Sequence, residues 1–419
     1  MQHPSTIQIN LDKVLVTLFC CYAFSMPFEL ILEMLFGIDT IFKPFRILSM
    51  IIIGIFGIKV LTQGLYLDKS DRADWFLYGV FLYGIIISCF KMIVGVFDMR
   101  LFINDSFQFS LHVATFFIYK STPITKDQAF KIFRWFMIGI FVNATYISYR
   151  FVVNWSSARQ SGFTDNPNYV AFGLVAVTTF LILKTNFNQK KINLIGSVFL
   201  VLFLLYIFGI QGSRTGFVMF LITNILIFFF SDLRRKITLF ILGGLIVLLL
   251  IPGQIKNPAI SGPMILIKRL NKTLEKEEED VRFIVWRGIF RVLENEGYEG
   301  MGIGQFKANF PKYFSGESNK LILEMTNYGY FLSPHNDYLA ILADYGLPSL
   351  LFYITFLGAT FWKLFRQVNY HQKDEKEEFL ILFRFIFFGC IVIFGMTAEN
   401  FQHQLFWFLL MFTTKDYLK

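Results

Sequence analysis

Cations set into otherwise apolar sequence are the chemistry-bearing feature of this chain. Arg214 lies in GIQGSRTGFVMFLI, flanked by Gly212, Ser213 and Gly216. Small neighbours let another group approach a guanidinium closely, which favours a ligand role over an interfacial arginine snorkelling to lipid phosphates. Arg287 interrupts FIVWRGIF, where an arginine among aromatics is expected to be shielded from solvent; the alternative is that Arg282, Arg287 and Arg291 are all surface charges balancing Glu294 and Glu296. Arg287 and Arg291 are one helical turn apart and share a face, whereas Arg282 is turned well away from Arg287. Arg150 and Arg159 bracket RFVVNWSSAR. His335 belongs to a polar knot, Pro334-His335-Asn336-Asp337, set against the apolar run that follows. A neutral imidazole there accepts a proton from an attacking hydroxyl; protonated, it is another cation for phosphate. Several arginines, with no pair of carboxylates and no metal-ligand cluster beside them, suit a polyanion, because guanidinium forks match phosphate oxygens. A pyrophosphate at a bilayer surface fits, and as a leaving group its developing charge would be stabilised by the arginines.

These residues need a frame. Of 419 residues, 55% are hydrophobic and 16% charged. The apolar residues come in blocks of the length that crosses a bilayer, roughly 17–25 residues. The chain therefore reads as an all-α polytopic membrane protein. Spans are expected near 14–36, 45–65, 75–97, 101–118, 132–153, 167–184, 193–210, 214–231, 237–251, 347–365, 379–397 and 400–414. That makes about twelve transmembrane helices. The 101–118 segment is the most polar, with Asn104, Asp105, Gln108 and His112. The first span is too long for a signal-peptide core and lacks a small-residue cleavage site.

Lysine and arginine concentrate in alternate short loops, for example Lys120, Lys126, Lys131 and Arg134, or Arg234, Arg235 and Lys236. The opposite loops are sparser, with Lys43, Arg46, Arg100, Arg150, Arg159 and Arg214. The positive-inside rule then places both termini in the cytoplasm. The net charge of +9 follows from this inner collar and implies no nucleic-acid partner. Cys20, Cys21, Cys89 and Cys390 all fall in apolar spans, so no disulfide framework is expected. Residues 1–251 carry spans one to nine, 252–346 form a large outer loop, and 347–419 carry spans ten to twelve.

Within that loop, Val281, Ile284, Val285, Phe290 and Leu293 recur at helical spacing, and Gly297 is a stop. The acidic run 275–280 reads as a solvated first turn or linker. Gly300-Met301-Gly302-Ile303-Gly304 resembles a phosphate-cradling loop only superficially, since no βαβ context surrounds it; a tight turn that aims the next segment is expected. Asn166 and Pro167 suit an N-cap and first helical position. Ser333 as a cap and Asp337 on backbone amides would explain those two residues, but not a histidine between them. The helix opened by the knot is expected to end near Gly346. No inverted repeat of the transporter kind is visible.

Four places carry a resemblance: DNPNYVAFGL, GSRTGF, WRGIFRVLENEGYEGMGIGQF and SPHNDYLAILADYGLPSLL. In these the chain resembles the O-antigen ligase and polymerase superfamily of bacterial envelope glycan assembly, over about 160–366 by motif and elsewhere by topology. The resemblance implies a GT-C-like glycosyltransferase of the inner membrane with a periplasmic active site and a large helical periplasmic loop between spans nine and ten. It implies a donor glycan on undecaprenyl pyrophosphate, and neither metal nor nucleotide sugar. Carried over by motif, Arg214 and Arg287 bind the donor pyrophosphate and His335 activates or positions the acceptor hydroxyl, with Asn336 beside it. Arg150, Arg159 and Arg282 are weaker candidates. The acceptor is a second lipid-linked repeat unit for a polymerase, a lipid A core sugar for a ligase, or a protein side chain. Two arginine-bearing outer segments favour the polymerase, for which a chain-length regulator is a further partner. A flippase or transporter of lipid-linked sugars is the alternative of another class, and a non-catalytic scaffold gives no reason for Arg214.

Overall fold

A computed structural model of the full chain describes residues 10–37, 43–64, 72–95, 97–154, 161–164, 166–184, 191–230, 281–314, 334–370, 375–396, 401 and 403–417. Every regular element among the described residues is helical. In chain order these are α1 (Leu11–Ser25), α2 (Ile31–Phe36), α3 (Pro44–Gln63), α4 (Asp74–Val94), α5 (Met99–Ser121), α6 (Lys126–Asn154), α7 (Pro167–Lys184), α8 (Lys191–Gln211) and α9 (Arg214–Phe230). After the large loop begins come α10 (Val281–Glu296), α11 (Gln305–Phe314), α12 (Asp337–Ala340), a π-helical turn (Ile341–Tyr345), α13 (Gly346–Tyr370), α14 (Glu375–Gly395) and α15 (Gln404–Thr414). Six helical units are long and apolar enough to cross a membrane: α3, α4, α6, α7, the continuous α12–α13 unit and α14. The chain is an integral membrane protein. The expected span 237–251 lies outside the described residues, as do 252–280 and 315–333 of the large loop.

Two expected spans are corrected. The helix from Leu11 stops at Ser25 rather than running on to residue 36, and α2 is a separate piece. Pro27 supplies the reason, since it has no N–H to continue the ladder. The last span is an 11-residue helix, α15, in which every residue is buried. At roughly 1.5 Å per residue it is far shorter than a bilayer core. It is an interior helix walled by its neighbours, and an apolar sequence cannot distinguish protein walls from lipid.

The polar residues of α5 have partners inside the bundle. Arg46 Nη2 donates to Gln108 Oε1 at 2.7 Å, Lys307 lies 3.8 Å from Asp105, and the His112 ring stacks between Phe45 and Trp407. Elsewhere the core is aromatic: Phe133 packs against Phe180, Phe383 and Phe412 with ring centroids 4.4, 5.0 and 5.0 Å away. Lipid gives little hydrophobic drive for helix association, so close ring packing of this kind supplies cohesion.

Ion pairs sort the helix ends into two sets. One set joins Lys59 to Asp12 (2.6 Å), Lys120 to Asp74 (3.1 Å), Lys376 to Asp127 (3.0 Å), Lys363 to Asp416 (3.7 Å) and Lys126 to Glu377. These are the ends that charge bias assigns to the inner side. The opposite ends join Lys43 to Glu29, and Lys91 to Glu299 across 3.7 Å. Each exposed pair contributes little stability, about 0–1 kcal/mol. Their value here is topological: helices expected to be antiparallel meet end to matching end.

Candidate functional site

The glycine-rich turn docks on the helix that follows the histidine knot. The π-helical turn ends at Gly346 with φ +80°, which breaks the backbone ladder. The stranded carbonyls of Ala343 and Asp344 accept from Met301 N and Gly302 N at 2.9 and 2.8 Å. Ile303 N donates to Ser88 Oγ at 2.8 Å on α4, and Phe306 N donates to Asp344 Oδ1 at 2.8 Å, capping α11. These amides are occupied by protein acceptors, so the turn is an aiming device and not a phosphate cradle. Contact is too close for a side chain: a Cβ on Gly346 would lie 2.2 Å from Glu299 O, and one on Gly300 would lie 2.5 Å from Gly346 N.

This docking sets α10 beside the knot. Gly297, at φ +87°, ends α10 and leads directly into the turn. The indole Nε1 of Trp286 donates to the carbonyl oxygen of Pro334 at 2.8 Å. Arg287 and His335 are the next residues on each side of that bond. His335 itself is half-buried at φ +49°, the one positive φ outside glycine among the described residues. A β-carbon makes that conformation unfavourable, and such strain gathers where surroundings hold a side chain in a required direction. Asn336 caps α12 by accepting from Leu339 N at 3.1 Å and donates to Met396 O at 3.1 Å. Asp337, fully buried, accepts from Phe401 N at 2.9 Å. The knot is thus pinned on three sides.

A second run of contacts continues to Arg214. Two residues beyond Phe401, His403 caps α15 by accepting from Leu405 N at 3.2 Å. Its ring stacks on Tyr169 with centroids 3.3 Å apart. Next to Tyr169, Asn168 Oδ1 accepts from Ser213 Oγ at 2.9 Å, and Ser213 Oγ in turn accepts from Gly216 N at 3.1 Å as the cap of α9. Arg214 is the first residue of α9 and is half-buried. Hydrogen bonds, a ring stack and sequence neighbours thus link the residues beside Arg287, through the His335 knot and His403, to those beside Arg214. Along these links the N-termini of α7, α9 and α15 meet. Each such end carries about half a positive charge, so an anion is favoured there.

Residues 198–354 match a protein-family model described as O-antigen ligase. That stretch of the chain is similar to the O-antigen ligase family. That match supports the O-antigen ligase and polymerase superfamily, a class of membrane enzyme. No curated protein matches the chain.

The matched stretch spans Arg214, Arg282, Arg287, His335 and Asn336, and excludes Arg150 and Arg159. Arg159 lies outside the described residues, and Arg282 sits in the first turns of α10. Arg150 is exposed on α6, with its guanidinium 6.0 Å from the Tyr146 ring and Nη1 3.4 Å from the Tyr146 hydroxyl. Arg287 departs from the sequence expectation of shielding, because α10 buries Val285, Ile289, Val292 and Leu293 and leaves Arg287, Phe290 and Arg291 exposed. Phe290 is correspondingly not a core residue. Asn336, rather than Ser333, caps the knot helix; Ser333 lies outside the described residues. Sequence reasoning passed over Trp286, Asn168 and His403 as links. For His403 there was a signal, the polar letters of NFQHQ at the head of an apolar run.

Proposed function

We propose that the protein is a membrane glycosyltransferase that joins oligosaccharide repeat units carried on undecaprenyl pyrophosphate. The reading rests on one observation above all: bonded neighbours tie the residues beside Arg287 and Arg214 to the strained His335 knot, at the end of the bundle where three helix N-termini meet. In this reading Arg214 and Arg287 bind the donor diphosphate. The acceptor hydroxyl oxygen forms a bond to the anomeric carbon as the bond to the diphosphate breaks. His335 takes the hydroxyl proton, and undecaprenyl pyrophosphate leaves with the bonding electrons. Attack opposite the leaving group inverts the anomeric centre. Preorganised cations supply stabilisation where charge develops, without metal or nucleotide.

Polymerisation and ligation share this chemistry and differ in acceptor. The polymerase reading draws on arginines in two outer segments; the description of the matched family favours the ligase, with lipid A core as acceptor. Deleting the protein separates them on a polysaccharide gel. Loss of a polymerase leaves a single-repeat product, whereas loss of a ligase leaves lipid-linked polymer and none on the core. Enzyme and flippase are separated by purified protein with synthetic lipid-linked substrate, which should transfer glycan without a gradient. Arg214→Ala, Arg287→Ala and His335→Ala should each abolish the product while the protein still inserts. Normal glycan ladders from all three would remove the mechanism.

A further inference from the structure

Between the matching ends of α1, α3 and α15, and against the middle of α5, lies a second polar cluster that the transfer chemistry does not use. Glu29 is buried, bonded to Lys43 Nζ and 3.5 Å from His403 Nε2. Arg46 stands one turn beyond Lys43 on α3. Its Nη2 donates to Gln108 Oε1 at 2.7 Å, and its guanidinium lies 5.9 Å from the Phe45 ring. It makes no ion pair with a described residue, and its Nε–H is shielded from solvent without an acceptor among them. Gln404, next to His403 and 1% exposed, has neither amide atom bonded to a described residue. Two fixed cations, Lys43 and Arg46, thus face one carboxylate. A guanidinium edge left open in a shielded place is unfavourable, and an oxyanion satisfies its charge and its N–H together.

We propose that this cluster is a second oxyanion subsite, centred on Arg46, with Lys43 and Gln404 beside it. It is separate from Arg214 and Arg287, and His403 stands between the two, facing Glu29 on one side and stacked on Tyr169 on the other. Resting on the transferase reading, its occupant is the anionic group of the acceptor: a phosphate of a lipid-linked acceptor or the carboxylate of an acidic sugar. Two oxyanion sites around one histidine would set donor and acceptor side by side.

The test is a binding titration of the purified full-length chain in lipid nanodiscs, with undecaprenyl diphosphate and, separately, glucuronic acid as probes. The wild type should take two equivalents of the lipid, and Arg46→Gln and Arg214→Ala one each. If the wild type takes one equivalent but Arg46→Gln weakens glucuronic acid at least ~10-fold, the anion is a sugar carboxylate. The equivalent kept by Arg46→Gln, and removed by adding Arg214→Ala, serves as its folding control. Arg46→Lys should keep that equivalent and remain ~10-fold weak at the second site, since an ammonium lacks the fork. Arg46→Gln that leaves both probes unchanged means water fills the site and overturns the proposal. Loss of all binding in both Arg46 variants makes Arg46 a structural residue and equally overturns it. Should Arg214→Ala keep both equivalents while Arg46→Gln loses one, the donor assignment fails and the subsite stands.

Discussion

The indole N–H of Trp286 and the carbonyl oxygen of Pro334 meet at 2.8 Å, so one hydrogen bond separates the helix of Arg287 from the residue before His335. That bond crosses from the large loop to the entry of α12–α13. Trp286→Phe keeps an aromatic ring, though a smaller one, and deletes the donor. It should lower transfer roughly 3- to 10-fold, the value of one net hydrogen bond, with insertion unchanged. Initial rates on synthetic lipid-linked substrate measure it, and a Trp286→Phe rate equal to wild type would show that the bond positions nothing.

His335 should separate stability from activity. Glycine tolerates φ +49° better than any residue with a β-carbon, so His335→Gly is expected to raise stability by about 0.5–1 kcal/mol while transfer falls at least ~100-fold. His335→Asn, which also tolerates that conformation, should hold stability near wild type and remain inactive. Thermal unfolding in detergent reads the first quantity. A glycine variant that is both unstable and inactive would make His335 a packing residue.

The Asn168–Ser213 bond should matter to the donor and not merely to folding. Asn168→Ala removes this link, whereas Ser213→Ala also removes the cap of α9, at a cost of about 1 kcal/mol. Both should weaken undecaprenyl diphosphate several-fold, and Ser213→Thr should restore it. Full affinity in both alanine variants would show that Arg214 needs no such support.

Gly346→Ala should undo the docking of the glycine turn. The added methyl would sit 2.2 Å from Glu299 O at a φ of +80°, and a cost of at least ~2 kcal/mol is expected. Gly196→Ala meets nothing within 4 Å and serves as the neutral control. Limited proteolysis between α10 and α13 should be faster in Gly346→Ala alone; equal rates in the two variants would count against the docking.

Where local chemistry fixes a boundary, the sequence was enough. Asn166-Pro167 opens α7 as its capping chemistry requires, Asn166 Oδ1 accepting from Asn168 N at 2.9 Å, and Gly297 ends α10. The histidine motif opens a helix that breaks at Gly346, as expected. Failures have physical causes. Pro27 inside the first apolar block was overridden by hydropathy, although a missing N–H outweighs it. The interior position of α15 was invisible, because lipid and protein walls select the same apolar residues. Arg287 among aromatics looked shielded because neighbours in sequence are not neighbours on a helix face. The pairing of Glu29 with Lys43 and His403 joins the first turn of the chain to its last helix, a distance no local pattern reports.

The break before α13 has a consequence for biogenesis. The carbonyls of Ala343 and Asp344 obtain their donors from Met301 and Gly302, which are synthesised earlier but belong to a separate segment. The head of the α12–α13 unit is therefore completed by another segment: until the glycine turn docks, the carbonyls of Ala343 and Asp344 lack these donors, and that helix is finished only once the two segments have met.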